Sequence, residues 1–405
     1  MKTGWSILAV WIGLTAVVAR AWQEDLPTGA AYPKSVRHTE AVVELTLDDG
    51  IQHVVERALD AAMTDYRPDA AWAIVEKVGT GEILAMAARS NDGSGQAVAG
   101  LQSARMNIAA EMVFEPGSIF AVGIVAAALN EGLVRPDSVF DVGHGAWHYG
   151  GHVLHDKVYG RVDVRTILKK SSNIGAAMIG LLLGNRRMEC YLRGFGFGSP
   201  LGIDLPGEER GLLTPSARWA TVTPTRIAIG QGISVTALQM LNAYCTIANG
   251  GRLMRPYVVS KVVSPRGETI LENAPKVIGR PIRPEIAAQV REMLVAVTEE
   301  GTGRRAAVEG YTIAGKTGTA QQVVDGAYSQ TDYWASFVGF VPAEDPVFGM
   351  IVIIDRPRGL RTGGAVSAPV FSRLALVVAR YLEIPVVVPA DAAHAGSESA
   401  EAPEP

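Results

Sequence analysis

The chain has 405 residues, of which 48% are hydrophobic and 19% are charged. This composition is typical of a globular protein with a large core and two or three domains, and it excludes a chain that is disordered throughout. The net charge of −4 leaves no basic surplus to neutralise phosphates, which excludes nucleic acid as a partner. The two cysteines, Cys190 and Cys245, are predicted to be buried small thiols rather than a disulfide.

The N-terminus predicts export from the cytoplasm. Gly4 to Ala19 form an uncharged run that is shorter than the ~20 residues a spanning helix prefers. Ala19-Arg20-Ala21 fits the small-x-small pattern of a signal-peptide cleavage site, while Trp5 and Trp22 bracket the run as interfacial anchors do. Residues 1–22 are therefore predicted to be a single membrane anchor, with a cleaved signal peptide as the open alternative. Either places the following chain outside the cytoplasm.

Regular secondary structure is predicted from Val42 onward, after a polar linker over residues 23–41. Val42 to Leu47 predicts a strand. Asp48 begins an amphipathic helix whose apolar residues recur three or four positions apart, namely Ile51, Val54, Val55, Ala58, Leu59 and Ala62. A first hairpin is predicted from two short apolar runs, residues 72–76 and 82–87.

The C-terminal part predicts a second hairpin, with strands over residues 334–341 and 347–355, and then a closing helix over 365–382. The part between Ser118 and Ile247 is mainly helical in pattern. Strands at both ends with helices between them predict an α+β fold in which distant segments build one sheet. One domain is expected over residues 42–385, followed by a disordered tail over 386–405 that is rich in Ala, Glu, Ser and Pro.

A first candidate functional segment is Phe114-Glu115-Pro116-Gly117-Ser118, followed by an apolar run to Leu129. Ser118 is therefore predicted at or near a helix N-terminus, where free N–H groups favour developing negative charge. A serine needs such help, and a base, to become a nucleophile. Taken alone, Ser118 is more simply explained as a helix N-cap.

Two further motifs favour the nucleophile. Ser171-Ser172-Asn173 could relay a proton through Ser171 and hold a substrate amide through Asn173, although such a triplet also occurs as a turn or cap. Lys316-Thr317-Gly318-Thr319 lies in an apolar, strand-like run. There a strand edge could bind an extended peptide and the lysine could attract a carboxylate. The alternative for that segment is an edge strand with a protective lysine.

Together these residues resemble the class B penicillin-binding proteins, the peptidoglycan D,D-transpeptidases of cell division and elongation. The resemblance extends over about Val42 to Pro385. It includes six further collinear stretches: Gly194-Phe-Gly-Phe-Gly198, Gly202-Ile-Asp-Leu-Pro-Gly-Glu208, Gly230-Gln-Gly-Ile-Ser-Val-Thr236, Ala248-Asn-Gly-Gly251, Gly301-Thr-Gly303 and Phe337-Val-Gly-Phe-Val-Pro342. It implies a penicillin-binding transpeptidase or serine β-lactamase-like fold, with an antiparallel sheet flanked by helices and a helical subdomain.

The resemblance also implies roles for the motif residues. Ser118 would be the acylated nucleophile, and Ser171 and Asn173 would form the second motif. Lys316, Thr317 and Thr319, on either side of Gly318, would bind the terminal carboxylate of a D-Ala-D-Ala stem peptide or of a β-lactam. The backbone N–H groups of Ser118 and Thr319 would form the oxyanion hole. No cofactor or metal is implied.

The chain departs from the family pattern in two places. The family's Ser-x-x-Lys reads Ser118-Ile-Phe-Ala121 here, and Ile119 and Val122 replace the usual Thr and Pro. The expected general base is therefore missing, and Lys316 or Lys170 would have to replace it. In addition, residues 23–41 offer no room for the family's large N-terminal pedestal.

Four histidines, His144, His148, His152 and His155, raise the question of a metal site. Their segment is too rich in glycine for a helix that would align them, and a turn is expected at Gly150-Gly151. The spacing lacks the closed four-ligand pattern of structural zinc sites. An exposed hairpin near the mouth of the active site is predicted instead.

The resemblance, together with the departures from it, implies three candidate functions. The first is an exported transpeptidase of cell-wall synthesis, anchored in the inner membrane with its catalytic domain in the periplasm, together with a wall-polymerising membrane protein. The alternative is a catalytically impaired scaffold or regulator of wall-synthesis partners. A β-lactam sensor or hydrolase is less supported, because both usually need the missing lysine.

Overall fold

The computed structural model describes residues 41–91 and 107–386. The predicted anchor, nearly all of the linker and all but the first residue of the predicted tail lie outside this part. Sixteen strands are described: β1 (Val42–Leu45), β2 (Ala70–Lys77), β3 (Ile83–Ser90), β4 (Val113–Phe114), β5 (Val139–Asp141), β6 (Ala146–Tyr149), β7 (His152–His155), β8 (Arg161–Asp163), β9 (Val235–Thr236), β10 (Leu253–Met254), β11 (Val259–Val263), β12 (Thr269–Glu272), β13 (Val277–Gly279), β14 (Ala314–Val324), β15 (Ala327–Val341) and β16 (Phe348–Asp355).

Ten α-helices accompany the strands in the described residues, together with three short 3₁₀ turns over Gly117–Ile119, Ser216–Arg218 and Arg304–Ala306. The α-helices are α1 (Asp49–Tyr66), α2 (Ile108–Glu111), α3 (Ala121–Asn130), α4 (Val164–Lys170), α5 (Asn173–Leu183), α6 (Asn185–Gly194), α7 (Thr223–Ala228), α8 (Ala237–Ala248), α9 (Pro284–Glu299) and α10 (Ser367–Tyr381). No helix in this part of the chain combines the length and the apolarity needed to cross a bilayer.

The central sheet has five strands in the order β14-β15-β16-β2-β3, and all neighbours are antiparallel. The predicted α+β class, both predicted hairpins and the joining of distant segments in one sheet are thereby confirmed. The sheet pairs β16 with β2, so that Ile351 lies opposite Ile74 although almost the whole domain separates them in sequence. Strand β14, which carries Lys316, stands at one edge.

The sheet is buried on both faces because its strands carry apolar residues at nearly every position. Alternate residues of β2 belong to two hydrophobic clusters. On one face Trp72 and Ile74 pack with the helical region, which includes α3, α8 and α9. On the other face Ala73 and Val75 pack against α1 and α10, through residues such as Leu59 and Phe371. The first face therefore brings the helical region, and with it Ser118, against the sheet.

Helix α1 also covers the far edge of the sheet. Its N-cap, Asp48, accepts a hydrogen bond from the Ile51 N–H at 3.0 Å, and the Asp48 N–H donates to Leu84 O at 2.9 Å. The buried amide of Gln52 then pairs with the backbone of Met86, donating to its carbonyl at 3.1 Å and accepting from its N–H at 2.9 Å. A side-chain amide thus substitutes for a neighbouring strand at edge strand β3.

The histidine segment forms the predicted hairpin. Strands β6 and β7 pair antiparallel with the turn at Gly150-Gly151, and His148, His152 and His155 are exposed. In the described part of the chain, no group of three or more His, Cys, Asp or Glu side chains could hold a metal ion. The cysteine prediction is half wrong: Cys245 is buried in α8, but Cys190 is exposed on the amphipathic helix α6.

Candidate active site

Ser118 lies in the 3₁₀ turn Gly117–Ile119, which leads directly into α3. The turn is fixed from below by its apolar neighbours, because Ile119 and Phe120 are buried in the core. The buried hydroxyl of Tyr244 donates a hydrogen bond to Ile119 O at 2.9 Å. Ser118 itself is half-buried. The prediction that Ser118 stands close to a helix N-terminus is therefore confirmed.

Two glycines allow the Ser118 segment to contact its neighbours closely. A Cβ at Gly318 would lie 2.2 Å from Ser336 Oγ and 3.1 Å from Pro116 O, so no other residue lets β14 approach this turn. Gly230 has a φ of +75°, and a Cβ there would lie 2.2 Å from Gly117 O. The close approach at Gly318 is thus made by the protein's own chain.

The second motif forms a sharp corner between two helices. Ser171 ends α4 in the left-handed conformation, with a φ of +61°. Ser172 is the N-cap of α5, and its hydroxyl accepts from the Gly175 N–H at 3.0 Å. Asn173 begins α5 and donates to His155 O at 3.4 Å. The corner turns the side chains of Ser171 and Asn173 towards Ser118.

Asp156 holds this corner in place. One of its carboxylate oxygens accepts from Ser172 Oγ at 2.5 Å and from the Ile174 N–H at 3.0 Å. The other accepts from the backbone N–H of Lys157 at 2.7 Å. No sequence pattern singled out Asp156. It follows the histidine hairpin directly, so the hairpin delivers the carboxylate to the corner.

Lys316 is fully buried at 0% exposure. Its ammonium donates to Ser171 Oγ at 2.8 Å and to Thr317 O at 3.1 Å. No carboxylate in the described residues forms an ion pair with it, and burial alone lowers the pKa of Lys316 to about 7. The amine is therefore partly neutral near physiological pH and is connected to the second motif by a hydroxyl.

The motif residues line two adjoining spaces. The first is an open cleft of about 980 Å³, whose wall includes Ser118, Ser171, Asn173, Thr317 and Thr319. Three cationic side chains, Lys157, Lys170 and Arg305, line the same cleft beside a single carboxylate, that of Asp156. This lining favours an anionic ligand.

The second space is a small inner cavity of about 10 Å³ behind the cleft. Ser118, Ser171 and Lys316 line it, and Ala121 forms part of its apolar wall. The structure thus brings Ser118, Ser171, Asn173 and Lys316 to one place, as the motif order predicts. It also separates Lys316, which faces the inner cavity, from Thr317 and Thr319, which face the cleft.

Further side chains join the site that the motifs did not indicate. Thr302 lines the cleft, and its hydroxyl lies 2.9 Å from Thr317 Oγ1. The Thr319 hydroxyl accepts from the Gly363 N–H at 3.1 Å. Thr302 lies within Gly301-Thr-Gly303, a stretch that carried the family resemblance without an assigned role. The resemblance of that stretch was therefore the sequence signal that could have assigned Thr302 to the site.

Comparison with known proteins gives consistent results. The penicillin binding protein transpeptidase domain matches residues 71–376. The chain is 36% identical over 345 residues to stage V sporulation protein D of Bacillus subtilis, covering 82% of this chain and 52% of that protein. It is 34% identical over 345 residues to the peptidoglycan D,D-transpeptidase FtsI of Escherichia coli, covering 84% of this chain and 56% of that protein. The chain therefore spans about half the length of the curated relatives it matches.

Solved structures match as well. The structure of penicillin binding protein 3 from Mycobacterium tuberculosis, complexed with aztreonam, superposes with a TM-score of 0.78 at 35% identity, covering 88% of this chain and 83% of that chain. The fold is thus that of the penicillin-binding transpeptidases, as the resemblance implied.

Proposed function

The chain belongs to the penicillin binding protein transpeptidase family, and from that membership we propose that it is a peptidoglycan D,D-transpeptidase acting through an acyl-Ser118 intermediate. The observation that carries the proposal is the convergence of Ser118, Ser171, Thr317 and Thr319 on one cleft, with Lys316 behind it. Relatives named as peptidoglycan D,D-transpeptidases support the same activity. A catalytically impaired scaffold is the less favoured alternative.

The proposed reaction uses the cleft as follows. A stem peptide ending in D-Ala-D-Ala lies along edge strand β14, as an added strand would. Its terminal carboxylate is held by Thr317 and Thr319 and by the cationic lining that includes Arg305. Ser118 Oγ attacks the penultimate carbonyl carbon, and the backbone N–H groups of Ser118 and Thr319 stabilise the oxyanion. The terminal D-Ala leaves, and the amine of a second stem peptide takes the acyl group. β-Lactams would acylate the same serine.

Ala121 is the departure from the family pattern that bears on the rate. We propose that it occupies the position of the lysine in the family's Ser-x-x-Lys motif, one helical turn after Ser118. An alanine accepts no proton, and a positioned base is typically worth ~10²–10⁴ in rate. Acylation is therefore expected to be slow rather than absent, because the helix start and the oxyanion donors remain.

We also propose that the N-terminal apolar run anchors the catalytic domain on the outer side of the inner membrane, where peptidoglycan is assembled. The proposal rests on the sequence of residues 1–22. A wall-polymerising membrane protein would be the partner that supplies uncrosslinked strands.

Labelling with a fluorescent penicillin tests the function. The purified protein should form a covalent adduct that survives denaturation, and Ser118→Ala should form none. Release of D-Ala from a D-Ala-D-Ala peptide should follow the same pattern. If the wild-type protein labels no faster than Ser118→Ala but binds the peptide as tightly as that variant does, the result would favour the scaffold instead.

A further inference from the structure

The Ser118 hydroxyl needs a proton acceptor that its own helix does not provide. A general base must lie within hydrogen-bond reach of the proton that it removes, directly or through one water. The residue one turn along, Ala121, has no such group. The acceptor must therefore come from another wall of the space that Ser118 lines.

The inner cavity supplies a candidate. Ala121 and Ile229 are among its apolar lining residues, and Ser118, Ser171 and Lys316, whose side chains carry polar groups, line it as well. Its volume of about 10 Å³ is close to the lower limit of about 10–15 Å³ that a single water needs. Three polar groups are enough to hold such a water.

Lys316 has the properties that a base requires. Its amine is 2.8 Å from Ser171 Oγ, and no carboxylate of the described chain neutralises it. Burial lowers its pKa to about 7, so that an accepting lone pair is available near neutral pH. When the amine is neutral, the hydrogen bond can reverse, and the Ser171 hydroxyl then donates to the Lys316 nitrogen.

We propose that Lys316 is the general base of this site, and that it receives the Ser118 proton through Ser171 and one water held in the inner cavity. The proposal rests on the proposed acyl-Ser118 chemistry and gives it a proton route that does not use residue 121. Lys316 thereby takes over a task that the family resemblance assigns elsewhere.

The step balances in protons and electrons. Ser118 Oγ forms a bond to the carbonyl carbon as its proton passes to the water. The water gives a proton to Ser171 Oγ, whose own proton passes to the Lys316 nitrogen. The carbonyl π electrons move to the oxygen and return when the C–N bond to the leaving amine breaks. The proton then travels back along the same route to that nitrogen.

The structure separates this role from the two alternatives. Lys170 is exposed and lines the open cleft, whereas Lys316 is buried and lines the inner cavity. Lys316 is also poorly placed to be a direct carboxylate ligand. Successive strand residues point to opposite faces, and its neighbours Thr317 and Thr319 are the residues that face the cleft.

A double-mutant cycle tests the assignment. Second-order acylation rates with a fluorescent penicillin are measured between pH 5.5 and 9 for wild type, Lys316→Arg, Ala121→Lys and the double variant. Arginine keeps the positive charge but does not deprotonate in proteins. The wild-type rate should rise near pH 7, where the Lys316 amine loses its proton. Lys316→Arg should therefore lose this rise, together with ~10²–10⁴ in rate. The conservative Lys261→Arg, on β11 of a separate small sheet, is the matched control and should match wild type.

The double variant is the measurement that distinguishes a general base from a structural residue. In the Ala121→Lys background a second acceptor is available, so Lys316→Arg should cost at least tenfold less there than in the wild-type background. An equal loss in both backgrounds would overturn the proposal, since it would indicate a purely structural or carboxylate-binding role.

Two measurements protect the test against misfolding. Ser171→Gly suits the positive φ of residue 171 and removes the relay hydroxyl, so it should lose the pH-dependent rise while melting near the wild-type temperature. NMR titration of the labelled Lys316 side chain should give a midpoint near pH 7. An ordinary midpoint above pH 10 would overturn the proposal whatever the rates.

Failure of the relay can be told from failure of the function. If the wild type does not label but Ala121→Lys does, the acyl-serine function stands and Lys316 is not a working base. If neither labels although both fold and bind the peptide, the proposed function itself fails, and the relay fails with it.

Discussion

Among the fully buried ionisable side chains of the central sheet are Lys316 on edge strand β14 and Glu76 on the inner strand β2. Both have pKa values shifted by burial, that of Lys316 down to about 7 and that of Glu76 up to about 8. Lys316 borders an internal cavity and is hydrogen-bonded to a hydroxyl of the cleft. The carboxyl oxygens of Glu76 have no partner in the described chain beyond the weak donor thiol of Cys245, which lies close by.

The difference teaches that a shifted pKa alone does not mark a functional group. Burial shifts both groups because each is held away from water without an opposite charge. What distinguishes Lys316 is a chain of polar atoms that leads from its amine through Ser171 to the cleft. Glu76 faces the sulfur of α8, in a region enclosed by the core. The first group is hydrogen-bonded to a residue of the cleft, whereas the second is enclosed by the core and is expected to affect stability alone.

The largest expected effect comes from Lys316→Met, which removes the charge and keeps the volume. Acylation should fall by ~10²–10⁴, while the fold becomes more stable. Between pH 7 and 10.5 the lysine is protonated in the unfolded chain and neutral in the folded chain, so the free energy of unfolding rises with pH in this window. The free-energy cost of burying Lys316 is therefore greatest below pH 7. Melting at pH 6.5 should show a stabilisation of about 2–5 kcal/mol. A destabilised variant would contradict the view of Lys316 as an unpaired buried group.

Glu76→Gln should separate stability from activity. Between pH 4.5 and about 8 the unfolded chain has released a proton that the folded Glu76 keeps, so stability falls as the pH rises through this window. The variant should be more stable than wild type by about 2–4 kcal/mol at pH 8 and nearly equal to it at pH 4.5. Denaturant unfolding at the two pH values measures this. Penicillin labelling should be unchanged, and a slower rate would link the two regions.

Asp156→Ala should have the smallest effect of the three. The carboxylate touches neither Ser118 nor Lys316 but holds the corner that presents Ser171 and Asn173. We expect acylation to fall about tenfold, because small losses of orientation cost rate without removing a reacting group. The inflection near pH 7 should persist, which a lost base would not allow. Asp156→Asn keeps one acceptor oxygen and should recover part of the rate.

Much of the fold follows from periodicity. Helix α1 and both hairpins were predictable because their apolar residues recur with the period of the element that they form. Both interpretations of the Lys316 segment placed it at a strand edge, where β14 lies, but the protective lysine is wrong because Lys316 is fully buried. The N-terminal half of β15, from Ala327, was missed because it is polar and exposed, and it is held by pairing with β14 rather than by burial.

The sequence indicated which residues form the site, but not which way their side chains face. Three motifs indicated one cleft, and the family resemblance assigned Lys316, Thr317 and Thr319 together to the terminal carboxylate, a role that stays a prediction. Strand alternation separates them, and whether the odd or the even residues face the cleft depends on the sheet register, which the local sequence does not contain. The exposure of Cys190 has a similar cause, since it lies on the polar side of an amphipathic helix whose packed face was not known.

The pairing of the Gln52 amide with the backbone of Met86 affects how this protein can associate with itself at high concentration. An unpaired strand edge can template the addition of another chain, which is a common route to aggregation. At β3 that template is occupied by a side chain tied to a long helix, so a foreign strand would first have to displace α1. In the described part of the chain the sheet can therefore grow from its β14 side, where an arriving strand meets the cleft that Ser118 lines.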